Sequence, residues 1–271
     1  MNADAAPRSA EPLIEGSETH PQHGDALSNP GRDRRFLKVM HSNLDCIKNK
    51  LPEVKMLFAN QDIDIFCATE VCPENYLIMI EDSHIAVDGY EVFSNFCSKG
   101  CKRGTVIYVK NNFKTKILSL FPYVYTYPWV EFVAVECQLL EETLIVENIY
   151  RSPSAPNAND SNKVVADFVS KIATSSSNSV PLTGDFNMPD VIWVDGYGFT
   201  TPNNPAQTTL NSVANLALIQ LIDQPTRYRD GQNPTTLELV FTYKPDTVMS
   251  IKYLPAIGSS DHNCVMFSGF H

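Results

Sequence analysis

From residue 36 onward the chain is a succession of short apolar runs with the period of β-strands. The runs "FLKVMHSN", "IDIFCATE", "GTVIYVK", "WVEFVAVEC", "TLIVENIY", "VPLTGD", "LELVFT" and "CVMFSGF" are rich in β-branched and aromatic residues. Helical spacing occurs in "NKLPEVKMLFAN", "NKVVADFVSKI" and "LNSVANLALIQLID". Because strands outnumber helices and strand usually follows strand, we predict a single α/β domain in which two mixed sheets pack face to face with helices outside.

The first 35 residues have a different composition. They are rich in Ala, Pro, Ser, Glu, Gly and His and show little apolar periodicity. Such a segment cannot bury enough apolar surface to fold. We therefore predict a disordered N-terminal tail at residues 1–35 and a folded domain at residues 36–271.

Two features of composition indicate where the protein resides. The chain contains no apolar run of about 18 residues and begins without a secretory signal, so we expect no membrane association. Its seven cysteines are scattered, which is not a disulfide framework. Reduced thiols are typical of intracellular proteins, and we predict an intracellular, nuclear location.

The net charge of −10 weighs against nucleic acid as a partner, since nucleic-acid-binding surfaces are usually basic. Local patches make the phosphate contacts, however, and not the total charge. One candidate patch contains Lys102 and Arg103 of "SKGCKRGTVIYVK", for which a solvated hairpin tip is the alternative interpretation. Arg151 and Arg227 are further candidates because they lie beside the polar motifs described next.

Polar side chains follow five of the buried strands. Taken singly, each has an ordinary explanation as a turn, a helix cap or a core residue. Together they supply the oxygen donors of a hard-metal site and the groups of general acid–base catalysis. No "GxxxxGK" loop indicates a nucleoside triphosphate, and no Cys/His cluster indicates zinc. The residues are Asn43, Asp45, Glu70, Tyr150, Arg151, Asp185, Asn187, Asp261 and His262.

These residues carry a family resemblance. The segments "NLD", "TE", "IYRSP", "GDFN" and "GSSDH" resemble, in order and spacing, the signature of the endonuclease/exonuclease/phosphatase superfamily. More narrowly, "GDFNMPDVIW", "QPTR", "LELVFT" and "LPAIGSSDHNCVMF" resemble the endonuclease domain of non-LTR (LINE-type, jockey-like) retrotransposons. The resemblance implies a four-layer α/β sandwich and hydrolysis of a phosphodiester, usually in one strand of DNA. It implies Mg²⁺ as cofactor, with Mn²⁺ as the alternative, and a reverse transcriptase domain in a longer parent protein.

The resemblance also implies a role for each matching residue. Glu70 resembles the main metal ligand, supported by Asn43, Asp45 and Asp261. Asp185 resembles the base that orients or deprotonates the attacking water, and Asn187 would hold that water or a phosphate oxygen. The groups that would contact the phosphate oxygens or the DNA are Tyr150, His262, Thr226, Arg151, Arg227, Lys102 and Arg103.

One position departs from the family pattern. Glu238 of "TTLELVFT" stands where the family has the Asp that pairs with the catalytic histidine. Its extra methylene either displaces the His262 imidazole or is absorbed by local packing, and a solvent-facing Glu238 is the third alternative. Two other functions stay open: a weak or inactive domesticated remnant kept for binding, and a phosphoesterase acting on RNA or lipid phosphate.

Overall fold

The computed structural model describes residues 36–73, 80–95, 103–118, 127, 129–139, 142–175 and 181–269. The predicted tail at 1–35 and the candidate contact Lys102 lie outside these ranges and stay predictions. Within them no helix is long and apolar enough to cross a membrane. Five cysteines lie in the described ranges, and all are free thiols.

The elements follow one another in mixed order along the chain. The strands are β1 (Leu37–Asn43), β2 (Ile65–Thr69), β3 (Tyr90–Asn95), β4 (Thr105–Lys110), β5 (Lys114–Ile117), β6 (Val130–Gln138), β7 (Thr143–Arg151), β8 (Leu182–Asp185), β9 (Ile192–Val194), β10 (Tyr197–Phe199), β11 (Ile219–Gln220), β12 (Glu238–Thr242), β13 (Val248–Leu254) and β14 (Cys264–Gly269). The helices are α1 (Leu51–Gln61), α2 (Asp82–Ile85), α3 (Ala158–Ser175) and α4 (Gln207–Asn215), with a 3₁₀ turn at Pro245–Thr247.

Two six-stranded sheets and one hairpin result. The first sheet has the order β13-β14-β1-β2-β4-β3 and the second the order β11-β12-β8-β7-β6-β5, while β9 and β10 pair with each other. Only the central pairs β1–β2 and β7–β8 are parallel among the described strand pairs. Both sheets are therefore mixed, as the sequence predicted.

Three apolar clusters give the molecule its four layers. One cluster lies between the sheets and includes Val39, Ile65, Val146 and Val240. A second packs α1 against the outer face of the first sheet. The third packs α3 and α4 against the outer face of the second sheet. The predicted four-layer α/β sandwich is confirmed.

The sequence predicted the interior strands better than the edge strands. β3 and β5 lie at sheet edges and β9–β10 forms an exposed hairpin, so their residues lack a consistently buried face. Asp261 and His262 were expected directly after the strand in "IKYLPAIGSS", but that strand, β13, ends at Leu254 and both residues lie later, in the loop just before β14. Because β14 runs antiparallel to β1, its beginning lies at the same edge as the end of β1.

Gly184 allows β8 to lie against β7 immediately before Asp185. Its φ is +154°, and a Cβ atom at this position would overlap the backbone carbonyl of Ile149. A glycine is therefore required by both backbone conformation and close approach. The packing of these two parallel strands fixes where Asp185 leaves the sheet.

We expect Gly184→Ala to lower the free energy of unfolding by about 2–4 kcal/mol, because the backbone of β7 cannot yield as a flexible side chain would. Urea unfolding measures the loss. The matched control is Gly231→Ala, since Gly231 also has a positive φ, +75°, but no atom within 4 Å of the added Cβ. The control should lose about 1 kcal/mol from backbone strain alone. Equal losses in the two variants would contradict the close-approach explanation.

Candidate active site

A row of polar side chains crosses the second sheet at one edge of the sandwich. Glu131 of β6 pairs with Tyr150 of β7, Tyr150 with Asp185 of β8, and Asp185 with Glu238 of β12. Directly paired residues project from the same face of a sheet. This face points to the first sheet, because Val133 and Val240, two residues further along β6 and β12, belong to the inter-sheet cluster.

The first sheet meets this row with Asn43, the last residue of β1. The Asn43 side-chain amide donates a hydrogen bond to Asp185 Oδ2 at 2.8 Å, and both residues are fully buried. Asn43 Oδ1 accepts a hydrogen bond from the backbone N–H of Asp45 at 3.0 Å. Asn43 therefore joins the two sheets and also shapes the loop that carries Asp45.

His262 and Glu238 form the second connection between the sheets. His262 Nδ1 lies 2.5 Å from Glu238 Oε1, and the two side chains are 9% and 1% exposed. Glu238 therefore faces the interior and reaches the imidazole, so the local packing absorbs its extra methylene. A carboxylate on Nδ1 fixes the orientation of the ring and leaves Nε2 directed away from Glu238.

Thr226 supports Glu238 from the side. Its hydroxyl oxygen accepts hydrogen bonds from the backbone N–H groups of Leu237 at 3.0 Å and Glu238 at 3.2 Å. Thr226 is fully buried. In the structure Thr226 supports the strand that carries Glu238, and its predicted role in facing DNA stays a prediction.

The site shifts the pKa values of its ionisable groups. Burial opposes a charged His262, but the carboxylate of Glu238 outweighs burial and raises the pKa of His262 to about 9. Burial also disfavours ionised Glu238, yet the neighbouring imidazolium lowers its pKa below the usual value. Burial and the charge of Glu238 raise the pKa of Asp185 to about 8. The stable arrangement at neutral pH is a buried imidazolium–carboxylate pair beside Asp185.

Glu70 and Asp45 lie around the guanidinium of Arg103. Arg103 Nη2 is 2.5 Å from Asp45 Oδ1 and also donates to Glu70 Oε2, and its side chain is 11% exposed. The backbone N–H of Arg103 donates to Glu131 Oε1 at 3.3 Å. Arg103, predicted as a substrate contact, is thus surrounded by three carboxylates.

Three site residues have a left-handed backbone. The φ angles are +40° for Asp45, +51° for Glu70 and +48° for Asn187. Non-glycine residues rarely adopt this conformation, and a long side chain such as Glu adopts it less readily than Asp or Asn. The turned backbone ends each strand abruptly, which suits residues that must project from the sheet edge.

Arg151 holds the loop that follows Asp185. Its Nη1 donates to the carbonyls of Phe186 at 3.1 Å and Asn187 at 2.8 Å, and its Nε to Ser161 Oγ at 3.1 Å. In return, the Asn187 side-chain amide donates to the Arg151 carbonyl at 3.0 Å. Arg151 is buried and bonded to backbone, so it positions the Asn187 loop, and its predicted substrate contact stays a prediction.

Asp261 lies on the histidine side of the site. Its Oδ2 accepts from Arg227 Nε at 3.0 Å and from Arg229 Nε at 2.7 Å, and its Oδ1 lies 3.5 Å from His262 Nε2. Burial opposes its charge, but His262 and the two arginines lower the pKa of its carboxyl. The contacts of Asp261 thus group it with His262, whereas Glu70 and Asp45 share Arg103.

The donor set fits a hard divalent cation. Mg²⁺ and Mn²⁺ prefer carboxylate and carbonyl oxygens, and Glu70, Asp45 and Asn43 offer these at one sheet edge. The position of a guanidinium between Glu70 and Asp45 indicates that the two carboxylates favour a cation between them. Asp185, Glu238 and His262 also offer atoms within 4.8 Å of one another. Since His262 Nδ1 already contacts Glu238, we interpret that second group as an acid–base set.

Sequence reasoning missed two residues that complete the site. Glu131 lies on the inward face of β6 among valines, and an acid on the apolar face of a strand was the available signal. Lys50 is buried, and its Nζ donates to the carbonyls of Leu44 and Asp45. Nothing in the local sequence distinguishes Lys50 from a surface lysine.

Comparison with known proteins agrees with this geometry. The family model described as endonuclease-reverse transcriptase matches residues 144–266, a range that includes Tyr150, Asp185, Glu238 and His262. The endonuclease domain of TRAS1, a telomere-specific non-LTR retrotransposon, superposes with a TM-score of 0.62 at 16% identity, covering 87% of this chain and 98% of that one. No curated protein matches the sequence.

Two other nucleases have a similar fold. The AP endonuclease LMAP from Leishmania major superposes with a TM-score of 0.64 at 14% identity, covering 88% of each chain. The 3'-5' exonuclease NExo from Neisseria meningitidis gives 0.65 at 13% identity, covering 87% of this chain and all of that one, 100%.

The chain thus shares the fold of these nucleases, and the resemblance to the endonuclease/exonuclease/phosphatase superfamily found in the sequence is confirmed. The resemblance to retrotransposon endonuclease domains is confirmed as well.

The Glu238–His262 contact generates a prediction for the phosphodiester hydrolysis that the family resemblance implies. Glu238→Gln removes the charge that supports the imidazolium and should lower the rate by roughly 10²–10⁴-fold. Glu238→Asp withdraws the carboxylate by one methylene and should also lower the rate, by about tenfold or more. Plasmid nicking at equal protein concentration and saturating Mg²⁺ measures both effects. Glu136→Gln, a half-exposed acid on β6, is the control. If all four proteins nick equally fast, Glu238 has no part in the site.

Proposed function

We propose that this chain is a divalent-metal-dependent phosphodiesterase that nicks DNA. The observation that carries the proposal is the His262–Glu238 pair, which lies buried beside Asp185 and Asn43 at the edge of two packed sheets. A charged imidazole, a carboxyl group with a pKa near neutrality and a set of hard oxygen donors together suit phosphodiester hydrolysis.

His262 and Tyr150 would stabilise the charge that builds on the phosphate. With Glu238 on Nδ1, the imidazolium can donate from Nε2 to a non-bridging oxygen. Burial, followed by the charges of Glu70 and Asp185, raises the pKa of Tyr150, so its phenol stays protonated and can donate a second hydrogen bond. Donors fixed by packing before the reaction need no reorganisation during it.

Asp185 would accept the proton of the attacking water. Its pKa of about 8 lies near the pH of the cell, where a general base combines a useful ionised fraction with a useful basicity. The amide of Asn43 holds Oδ2, and the backbone N–H of Asn187 holds Oδ1 at 3.1 Å. The carboxyl group is therefore oriented before substrate binds.

Glu70, Asp45 and Asn43 would hold Mg²⁺, or Mn²⁺ in its place, and Asp261 is the further candidate ligand. When bound, such an ion supplies Lewis-acid stabilisation of the phosphoryl oxygens. The loop contacts of Lys50 and Asn43 keep Asp45 at the sheet edge for this purpose.

DNA is the phosphodiester that we favour over RNA or a lipid phosphate. The structural neighbours include the endonuclease domain of a retrotransposon, NExo bound to a product DNA hairpin and TDP2 complexed with a single-strand DNA product. Arg227 and the more exposed Arg229 beside His262 offer positive charge for a DNA backbone, as does Lys102 of the predicted basic patch. By the same analogy we propose target-site cleavage in the nucleus, with a reverse transcriptase domain in a longer parent protein.

His262→Ala and removal of the metal test this function. The variant loses a donor to the charged transition state and should lower the nicking rate on the order of 10²–10³-fold. The measurement is conversion of supercoiled plasmid to open circle with Mg²⁺, and with a chelator, which should abolish it. The matched control is His84→Ala, an exposed histidine of α2 that should nick at the unaltered rate.

Two results would overturn the proposal. Full nicking in the presence of chelator would exclude the metal-dependent mechanism, and an unaltered rate in His262→Ala would exclude the assigned site. An unaltered protein that binds DNA but never nicks it would instead establish the domesticated binding remnant.

A further inference from the structure

The Arg103 side chain lies where the proposed metal ligands converge. Its Nη2 contacts both Asp45 Oδ1 and Glu70 Oε2, and only 11% of the side chain is exposed. The next residue, Gly104, has a φ of +75°, and Thr105 then pairs with Thr69 at the end of β2. This pairing holds the start of β4 beside Glu70. The register of β2 and β4 therefore places Arg103 next to Glu70.

The carboxylates of this corner favour a cation. Asp45 and the mostly buried Glu70 contact the Arg103 guanidinium, while the buried Glu131 accepts a hydrogen bond from the backbone N–H of Arg103. Burial opposes a charged Arg103, but Glu70 and Asp45 outweigh burial and raise its pKa. Like charges held close together in a partly dry site repel one another unless a positive charge lies among them. The Arg103 guanidinium supplies that positive charge.

We propose that Arg103 is an internal counter-ion that competes with the divalent cation for Glu70 and Asp45 and so sets the metal affinity of the site. This inference rests on the proposed function, which assigns those two carboxylates to the metal. A guanidinium and a divalent cation cannot both take the same Glu70 and Asp45 oxygens, so metal binding requires Arg103 to give up one or both contacts.

The size of the competition depends on the fraction of molecules in which Arg103 has released the two carboxylates, and we take about one tenth as the working value. If a binding-competent arrangement is only a fraction of the population, the apparent dissociation constant rises by the inverse of that fraction. A competent fraction of about one tenth weakens metal binding about tenfold. Removing the guanidinium should therefore tighten the binding of Mn²⁺ by about that factor.

The displaced guanidinium would have a phosphate oxygen within the same site as a new partner. Tyr150, a proposed phosphate contact, hydrogen-bonds Glu70, the same carboxylate that Arg103 contacts. An Arg103 released from the carboxylates would be free to meet a phosphate oxygen. Metal binding would then create the phosphate contact that was predicted for Arg103 from the sequence.

The test is Mn²⁺ binding to the full chain without DNA, measured by the electron paramagnetic resonance signal of free Mn²⁺. Arg103→Met keeps an apolar stem and removes the charge, and its dissociation constant should fall about tenfold. Arg103→Lys retains a cation and should bind Mn²⁺ much as the unaltered protein does. Arg103→Gln, which keeps hydrogen-bonding groups, provides a second uncharged variant should the methionine variant fail to fold.

Lys110→Met is the matched control. Lys110 lies at the opposite end of β4, and its Nζ also bridges two carboxylates, Asp62 Oδ1 at 2.5 Å and Asp64 Oδ1 at 3.4 Å. This variant removes the same unit of charge from the same strand, far along β4 from Glu70. Its Mn²⁺ affinity should change less than about twofold, because distant charges are screened by salt.

Glu70→Gln separates failure of this inference from failure of the proposed metal site. Unaltered Mn²⁺ binding in Glu70→Gln would overturn the metal site, and with it the role of Arg103. A second outcome is that Glu70→Gln loses Mn²⁺ binding while the uncharged Arg103 variants bind Mn²⁺ as the unaltered protein does or more weakly. That outcome would overturn the counter-ion role of Arg103 and leave the metal site standing. If Mn²⁺ affinity also rises tenfold in Lys110→Met, the effect comes from the net charge of the protein and not from the position of Arg103. That result would overturn the inference too.

Discussion

The hydrogen bonds that join the two sheets at one edge determine the rest of the site. Asn43 of the first sheet bonds Asp185 of the second, and His262 beside the first sheet contacts Glu238 of the second. Each bond is buried at the end of an apolar inter-sheet layer. Without the bond, its donor and acceptor would have no water to replace the lost partner. The core thus fixes the distance between the sheets, and that distance fixes the contacts of the acid–base groups.

Parallel strands at the centre of each sheet explain why so many polar groups meet there. β1–β2 and β7–β8 end at the same edge, and the antiparallel neighbours β12 and β14 begin there. The turned backbones of Asp45, Glu70 and Asn187 then direct side chains out of the pleat. Backbone strain of this kind persists where surrounding structure holds it, and it is common at functional sites. Arg151 and Lys50 supply that hold by bonding the loop carbonyls.

The sequence predicted the interior strands, the helices α1, α3 and α4, and the residues that gather at the edge, because burial imposes a period that can be recognised in one dimension. It predicted substrate contacts at Arg151 and Thr226, and the structure adds that both are buried and support neighbouring backbone. The residue type alone could not separate these roles, since an arginine bonded to carbonyls and one bonded to phosphate use the same donors. Edge strands such as β5 were missed because half-exposed strands lack a clear apolar face.

The sequence by itself determined the fold class, the order of the elements and the chemical inventory of the site, since these depend on apolar periodicity and on which polar residues interrupt it. Only the tertiary structure decided which of those residues touch. Glu238 reaches His262 despite its extra methylene, Arg103 takes the place between Glu70 and Asp45, and Glu131 joins the row from within β6. Contacts between residues far apart in the chain depend on sheet order and register, which local periodicity does not encode.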